Sequence, residues 1–283
     1  MTGKVNTQEF IAAALKEDIG SGDYSTLSCI ALGTKGKAVL KIKEDGILAG
    51  VELAREIFLF LQPDAVFTSY KKDGDAVTNG EIAFDIIADV HTILQAERLT
   101  LNCMQRMSGI ATLTNVYVAA IKDYKAQILD TRKTTPLFRL QEKEAVRIGG
   151  GVNHRMGLYD MVMLKDNHID FCGGIEKAIL QTNEYLKANN LDLKIEVETR
   201  TIDDVKRVLA VGNVARIMLD NYTPEQLAEA IELIGNRYET EASGGINLSN
   251  IVDYARTGVD YISVGAIIHH AVSLDLSLKA QIL

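Results

Sequence analysis

Six short apolar segments in the second half of the chain each end at a polar residue or a glycine, and this pattern constrains the fold most. The segments cover residues 127–129, 161–164, 194–195, 216–219, 239–242 and 261–264, and they lead into Asp130, Lys165, Glu196, Asp220, Ser243 and Gly265. Helical segments separate them, which predicts parallel strands. The strand ends of a β/α barrel open on the face where such barrels carry their active sites. The pattern therefore predicts a barrel enzyme. Because a closed barrel needs eight strands, we expect one that is incomplete or has an unrecognised member.

Composition argues against several other classes of protein. The 283 residues are enough for one barrel and a smaller domain, and a hydrophobic content of 47% supports a large core. A net charge of −8 argues against nucleic-acid binding, which usually needs a basic surface. No apolar run is long enough for a membrane span, and the polar residues 1–6 lack a signal-peptide core. Cys29, Cys103 and Cys172 form no metal-binding or disulfide pattern, so we expect reduced thiols in a cytoplasmic protein.

The first part of the chain has the pattern of an α+β domain. Apolar spacing predicts helices over residues 7–17, 51–61 and 92–105, with an interruption at Gly109 and a further helix over 110–124. Alternating segments over 37–43, 65–70 and 81–90 predict strands, which we expect to be antiparallel. We therefore predict an N-terminal domain over residues 1–108 and a barrel domain over 109–271. The segment from about 272 to 283 is expected to pack on the first domain.

Basic residues cluster near the start of the barrel, against the acidic overall balance. Arg132 and Lys133 lie within the segment 130–136, and His154 and Arg155 follow the glycines 149–151. Arginine gives paired donors to carboxylates and phosphates, lysine gives a point charge, and glycines let a ligand approach the backbone. These residues predict an anion pocket, with a solvated loop and a flexible turn as the plain alternatives.

Lys165 ends an apolar strand and starts the segment Lys165-Asp166-Asn167-His168. One hypothesis is a Schiff-base lysine of the kind that barrel aldolases use, because neighbouring cations favour a low lysine pKa. A ring of cations serves an anionic substrate equally well. For His168, a partly buried histidine with satisfied hydrogen bonds is the commoner outcome.

Acidic residues and glycines end the later strands. Glu196 and Glu198 are two residues apart on one strand and so share a face, and Asp220 ends the next strand. Such acids indicate Mg²⁺, a developing positive charge or ribose hydroxyls as their target, with a structural ion-pair network as the alternative. The segment 243–249 reads as a strand, a glycine turn and the start of a helix, and with Gly265 and Ala266 it predicts the phosphate site of late barrel loops.

Together these motifs resemble the quinolinate phosphoribosyltransferase family, also called nicotinate-nucleotide pyrophosphorylase (carboxylating). The resemblance is carried by residues 130–136, 149–155, 164–168, 219–221 and 243–246, and by 17–23 and 96–102 in the first domain. It covers almost the whole chain in the right order. The chain departs from the family at Leu137-Phe138, where Gly-Leu is common, at Glu144, where an aromatic is frequent, and at His269-His270, where His-Ser is more usual.

The resemblance implies an α/β fold with an incomplete β/α barrel of about seven parallel strands and an N-terminal α+β sandwich domain. It implies a homodimer in which Arg98 reaches the partner's pocket, with further assembly open. Lys133, Lys165, Glu198 and Asp220 match its catalytic positions. The implied substrate-binding residues are Arg98, Thr131, Arg132, Lys133, His154, Arg155, Lys165, Glu198, Asp220, Ser243, Gly244, Gly245, Val264, Gly265 and Ala266.

The implied reaction joins quinolinate to phosphoribosyl pyrophosphate and yields nicotinate mononucleotide, pyrophosphate and CO₂ in NAD biosynthesis. Mg²⁺ is the implied cofactor, with Glu198 and Asp220 as the residues nearest to it. Three alternatives stay open at this point. They are a related phosphoribosyltransferase, including nicotinate phosphoribosyltransferase or the relative found with molybdate-transport genes, a non-catalytic sensor of phosphometabolites, and a Schiff-base aldolase using Lys165.

Overall fold

The structure, a computed structural model, describes residues 6–281, and they fall into two compact units. The first unit combines the N-terminal residues up to Asn115 with Thr134–Gly150 and the C-terminal residues from His270. The second consists of Val116–Lys133 and Gly151–His269. Residues 1–5 lie outside the described residues, and the expectation that residues 1–6 lack a signal-peptide core partly rests on them. The predicted boundary after residue 108 stays a prediction, and the units differ from it in grouping residues 134–150 with the first unit.

Antiparallel strands and helices build the first unit, as predicted. The strands are β1 (Lys35–Ile42), β2 (Gly46–Ile47), β3 (Val66–Ser69), β4 (Ala76–Val77), β5 (Ile82–Asp89) and β12 (Leu276–Gln281). Four of them form a sheet in the order β12-β1-β5-β3, and β2 pairs with β4. Since β12 pairs antiparallel with β1, the C-terminal segment packs on the N-terminal sheet.

Helices of the first unit differ in how much of their surface they bury. They are α1 (Thr7–Ile19), α2 (Tyr24–Cys29), α3 (Val51–Leu61), most of α4 (Val90–Ala120) and α5 (Arg139–Ile148). Asn6 and Glu9 cap α1 reciprocally, and Ile11 and Leu15 are buried beneath it. Helix α2 was not predicted, because its six residues with one buried side chain lack the apolar stripe that reveals a helix.

Helix α4 corrects one prediction, because it runs unbroken through Gly109. The helix approaches Val272 and Ser273 so closely at this point that a Cβ at residue 109 would lie 2.8 Å from the carbonyl carbon of Val272. Glycine is therefore present for close backbone packing, whereas the sequence alone suggested a helix break.

Parallel strands build the second unit. They are β6 (Gln127–Leu129), β7 (Val162–Leu164), β8 (Ile195–Thr199), β9 (Arg216–Asp220), β10 (Glu239–Ser243) and β11 (Tyr261–Ser263). They form one sheet in the order β6-β11-β10-β9-β8-β7, and Val152 adds a single parallel bridge to Leu129 beyond β6. In the described part of the chain no pairing joins Val152 to β7, so the barrel is open there. This confirms the incomplete barrel, and Val152 is the member that the apolar pattern did not show.

Helices follow the strands of the second unit. They are α6 (Asp166–Cys172), α7 (Ile175–Ala188), α8 (Ile202–Val211), α9 (Pro224–Ile234), α10 (Ile251–Arg256) and α11 (Ala266–His269). The helix predicted to start within the segment 243–249 instead begins at Ile251, because Asn247 and Asn250 first form a hydrogen-bonded turn. Within residues 6–281, none of the helices combines the length and hydropathy that a bilayer crossing requires.

Candidate active site

A cavity of about 750 Å³ opens at the carboxyl ends of the parallel strands. The residues that line it all belong to the second unit. Side chains alternate along a strand, so residues two apart point the same way. Glu198 on β8, Asp220 on β9 and Ser243 on β10 reach the cavity for this reason, as do Glu241 and Ser263. The predicted active-site face of the barrel is therefore a real concavity.

Four basic side chains from three segments of the chain form a cationic wall, defined here as Arg132, Lys133, Arg155 and Lys165. The Lys133 amide donates to the Thr131 hydroxyl at 3.1 Å, which shapes the loop after β6. The Arg155 guanidinium donates to the Met161 carbonyl at 3.2 Å. Burial, and then the charge of Arg132, lower the pKa of Arg155. That mutual repulsion favours binding of an anion between the two guanidinium groups.

Lys165 lies opposite an acid rather than in an apolar pocket. Its Nζ is 3.2 Å from the Glu198 carboxylate, and 48% of its side chain is exposed. A Schiff-base lysine needs desolvation, so this geometry argues against the aldolase hypothesis. His168 accepts the Lys165 amide N–H at Nδ1 over 3.0 Å and caps α6, which is a structural role.

A buried network lies beneath the cationic wall. Nε2 of His154 is 3.0 Å from Glu196 and 3.3 Å from Glu241, and Arg216 donates to Glu241 at 3.0 Å. Both carboxylates are fully buried. Protonated His154 and Arg216 therefore place two cations beside the two buried carboxylates, and Arg216 also binds the partly exposed Glu239 at 3.0 Å. The Asp130 carboxylate fixes the backbone at His154 by accepting its amide N–H at 2.8 Å.

Burial and charge shift the pKa values in this network. Burial acts to lower the pKa of His154, but its bonds to Glu196 and Glu241 outweigh burial and raise that pKa to about 9. Burial and the charge of Glu241 raise the pKa of Glu196 to about 7. Burial also opposes ionisation of Glu241, yet His154 and Arg216 lower its pKa overall. We infer that Glu196 is the easier carboxylate to protonate, because the guanidinium donates to Glu241.

Two sets of acids offer oxygen atoms to a metal ion. Ligand atoms of His154, Glu196 and Glu241 lie within 4.8 Å of one another, but contacts among themselves and with Arg216 already engage them. Glu198 and Asp220 instead face the cavity from neighbouring strands. Carboxylates that face a solvated cavity suit Mg²⁺, which keeps waters and binds substrate phosphates.

Glycine turns form the side of the cavity next to Asp220. Gly244 and Gly245 have φ values of 95° and 64°, a region that glycine adopts without strain. A Cβ at Gly265 would lie 3.1 Å from both Lys133 Cδ and His269 Nε2. Backbone N–H groups at such turns suit a phosphate.

Glu196, considered as a functional acid from the sequence, is not in the cavity lining and belongs to the buried network, which agrees with the ion-pair alternative. Every substrate-binding residue of the second unit that the resemblance implies lines this cavity. These residues are Thr131, Arg132, Lys133, His154, Arg155, Lys165, Glu198, Asp220, Ser243, Gly244, Gly245, Val264, Gly265 and Ala266. Arg98 belongs to the first unit, where it is exposed on α4. The structure adds Asn221, Glu241, Ser263 and His269 to the lining. Strand alternation from Ser243 could have revealed Glu241, and helical spacing could have revealed His269, which lies four residues after Gly265.

An open β/α barrel with a cationic wall, cavity-facing acids and glycine turns at one mouth defines a class of enzyme that binds anionic, phosphorylated substrates. Two family models cover most of the chain: the quinolinate phosphoribosyl transferase N-terminal domain matches residues 23–108, and the C-terminal domain matches 110–279. The chain belongs to the quinolinate phosphoribosyl transferase family. The predicted family, fold class and enzyme class are thereby confirmed.

Individual relatives agree with this assignment. The chain is 46% identical to the nicotinate-nucleotide pyrophosphorylase (carboxylating), chloroplastic, of Arabidopsis thaliana, over 95% of this chain and 81% of that protein. It resembles the crystal structure of NadC from Streptococcus pyogenes with a TM-score of 0.91 and 41% identity, covering 97% and 96% of the two chains. The nicotinate-nucleotide pyrophosphorylase of Francisella tularensis gives a TM-score of 0.89 at 38% identity, covering 98% of both chains.

Proposed function

We propose that the cavity transfers the phosphoribosyl group of phosphoribosyl pyrophosphate to quinolinate, releasing pyrophosphate and CO₂ and forming nicotinate mononucleotide. The observation that carries this proposal is the meeting of the cationic wall, two acids and two glycine turns around one cavity. A dicarboxylate and a sugar phosphate need these complementary surfaces side by side.

The cationic wall binds quinolinate in this proposal. Arg132 and Arg155 give paired donors to its carboxylates, and Lys133 and Lys165 add charge. His154 contributes from the cavity floor, where Glu196 and Glu241 hold its ring. About half of the Lys165 side chain is exposed, so its ion pair with Glu198 contributes little free energy. Lys165 can therefore exchange Glu198 for a substrate carboxylate.

The glycine turns bind the phosphate of the phosphoribosyl group. Ser243, Gly244 and Gly245 supply one turn, and residues 264–266 supply the other through backbone N–H groups. Glu198 and Asp220 face the space between these turns and the cationic wall, which is where we place the ribose.

Mg²⁺ fits this arrangement, because Glu198 and Asp220 are cavity-facing oxygen donors beside the proposed phosphate sites. When bound with the pyrophosphate, it would neutralise the charge of that leaving group. Glu198 and Asp220 would hold it directly or through water.

The reaction follows from the charges that these residues present. The bond between ribose C1 and the pyrophosphate oxygen breaks, and the carboxylates of Glu198 and Asp220 stabilise the positive charge at C1. The pyridine nitrogen then bonds to C1 and becomes cationic. The adjacent carboxylate leaves as CO₂ because its electron pair stays on the carbon beside N⁺, and that carbon takes up a proton. Lys133 and Lys165 orient the departing carboxylate.

A homodimer completes the proposed site. Arg98 is exposed on α4, whereas the cavity lining among the described residues comes from the second unit. We place Arg98 at the partner's cavity, where it adds a cation. We also place the protein in the cytoplasm, a proposal supported by the free thiols of Cys29, Cys103 and Cys172.

The test is the stoichiometry of turnover. Purified protein with Mg²⁺, phosphoribosyl pyrophosphate and carboxyl-labelled quinolinate should release CO₂ and pyrophosphate in equal amounts, and nicotinate should give no CO₂. Quinolinate binding without pyrophosphate release would instead identify a sensor. Borohydride trapping of a substrate on Lys165 would identify an aldolase.

A further inference from the structure

Asn221 directly follows Asp220 and adopts a left-handed backbone conformation with φ of 60°. Its amide N–H donates to the Ser243 carbonyl at 2.8 Å, which continues the pairing of β9 and β10 past the end of β9. Its side-chain amide turns back and donates to the Asp220 carboxylate at 2.5 Å. One residue therefore contacts both the acid of β9 and the last residue of β10.

The Asn221 side chain also packs against the glycine turn. A Cβ at Gly244 would lie 2.7 Å from Asn221 Cγ and 2.9 Å from its backbone nitrogen. Both distances are below those that real Cβ contacts show, so Gly244 must lack a side chain for Asn221 to occupy its position. The turn and Asn221 thus fix each other.

Asn221 itself lines the cavity, beside the groups that it contacts. A free carboxylate at a strand end can rotate about its side-chain bonds, and a glycine turn has little conformational preference of its own. The Asn221 side chain donates to the Asp220 carboxylate and fills the space beside the glycine turn. It therefore restricts both the rotation of the carboxylate and the conformation of the turn. A site that binds two parts of one ligand depends on a fixed distance between its binding groups.

We propose that Asn221 is a positioning residue that locks the Asp220 carboxylate and the Ser243–Gly245 turn into one rigid binding surface for the phosphoribosyl group. This inference rests on the proposed function, and it assigns a specific role to a residue that the cationic wall does not involve. Quinolinate binding at that wall should be independent of Asn221.

Two variants separate the contacts of Asn221. Asn221→Gly keeps the left-handed backbone and removes both the bond to Asp220 and the packing on Gly244. Asn221→Asp keeps the side-chain shape beside Gly244 but cannot donate to Asp220 when ionised. Asn213→Gly is a matched control, because Asn213 is also left-handed with φ of 54° but is not among the residues lining the cavity.

The experiment measures steady-state constants for both substrates with wild-type protein and the three variants. The loss of a charge-assisted bond that orients a binding group should raise KM for phosphoribosyl pyrophosphate or lower kcat by about tenfold or more in Asn221→Gly and Asn221→Asp. KM for quinolinate should stay within about twofold, whereas general loss of structure would change both constants and the melting temperature. Asn213→Gly should match the wild type.

The outcomes distinguish this inference from the proposed function. Wild-type protein without turnover would contradict the function itself. Active wild-type protein with an equally active Asn221→Asp would overturn the role of the bond to Asp220, and equal rises in KM for the two substrates would show a merely structural role. A crystal structure of Asn221→Gly should further show the Asp220 carboxylate in a different rotamer or in several.

Discussion

Leu137 is a non-glycine residue with φ of 61°, which places it in the left-handed region where a Cβ is unfavourable. The family that the sequence resembles commonly has glycine at this position. The side chain is 77% exposed, so it gains little from packing in return. Backbone strain is therefore the main physical consequence of this departure.

Substitution at Leu137 should follow backbone preference rather than hydrophobicity. Leu137→Gly should raise the free energy of unfolding by up to about 1 kcal/mol, since relief of left-handed strain exceeds the entropy that glycine adds to the unfolded chain. Leu137→Val should lower it by a similar amount, because β-branched residues tolerate this region least. Urea unfolding of the three proteins tests the order, and a valine variant as stable as the glycine variant would contradict it.

The buried network around His154 should make stability depend on pH. The pKa of His154 is raised to about 9 and that of Glu196 to about 7, so the folded state holds protons that the unfolded chain releases earlier. The stabilisation from His154 is complete below its unfolded pKa of about 6.5 and is lost as pH rises through the folded value. The contribution from Glu196 is lost over a lower range, between about pH 4.5 and 7.

We expect the free energy of unfolding to fall by about 3 kcal/mol between pH 6.5 and 9, given that one pKa unit corresponds to ~1.4 kcal/mol. Glu196→Gln removes one carboxylate partner of His154 and its own titration, so the fall should become shallower. Urea unfolding at three pH values measures the slope. An unchanged slope in Glu196→Gln would show that another group titrates.

At the scale of elements, helix α4 depends on the glycine at its middle. Gly109→Ala should improve intrinsic helix propensity by about 1 kcal/mol. The added methyl group would nevertheless overlap the backbone of Val272 and Ser273. We therefore expect a net loss of about 2 kcal/mol, in the range of overpacked cores.

Asn102→Ala provides the control for Gly109→Ala. Asn102 is exposed on the same helix, so this change should leave stability equal or slightly higher through propensity alone. Thermal unfolding of both variants measures the difference. Equal stability of Gly109→Ala and wild type would mean that the approach of Val272 does not limit the packing of α4.

Elements were predictable where local signals and tertiary packing agreed. Helix α3 has a continuous apolar face, and its predicted range, 51–61, matches the observed one. The strand ends before Asp130, Lys165 and Asp220 were visible because buried apolar runs stop where the polar cavity begins. Local signals misled at Gly109, because the segment that packs against this glycine lies more than 150 residues away in the sequence. They also gave no sign of the bridge at Val152.

The candidate site was predictable for similar reasons, within limits. Arg132, Lys133, Arg155 and Lys165 run against an acidic composition, so they were recognisable as a set before the fold joined them. An ion-pair network was foreseen for Glu196 as an alternative, but His154, Glu241 and Arg216 were not recognised as its members. Glu196, Glu241 and Arg216 lie on three strands, and only their register in the barrel brings them together.

At the scale of the whole molecule, the proposed sharing of sites between subunits can be tested by complementation. Arg98→Ala and Arg155→Ala should each be nearly inactive as homodimers. After random exchange of subunits, half of the dimers are mixed, and each mixed dimer has one site with both arginines intact. Activity should return to about a quarter of the wild-type value.

The control for this experiment is a mixture of Arg155→Ala with Lys133→Ala. Both residues belong to the same unit of one chain, so in a mixed dimer each site still lacks one of them and activity should not return. Absence of recovery in the Arg98 mixture, after verified subunit exchange, would contradict donation across the interface.

The most direct test of the account is calorimetric measurement of quinolinate binding to the wild type and to Lys133→Ala, Arg155→Ala and Lys194→Ala. Loss of one charge-assisted contact should raise Kd by about tenfold or more in the first two variants. Lys194→Ala should bind like the wild type, because Lys194 precedes β8 at the opposite end of the barrel. Unchanged affinity in both Lys133→Ala and Arg155→Ala would show that the cationic wall does not hold the dicarboxylate.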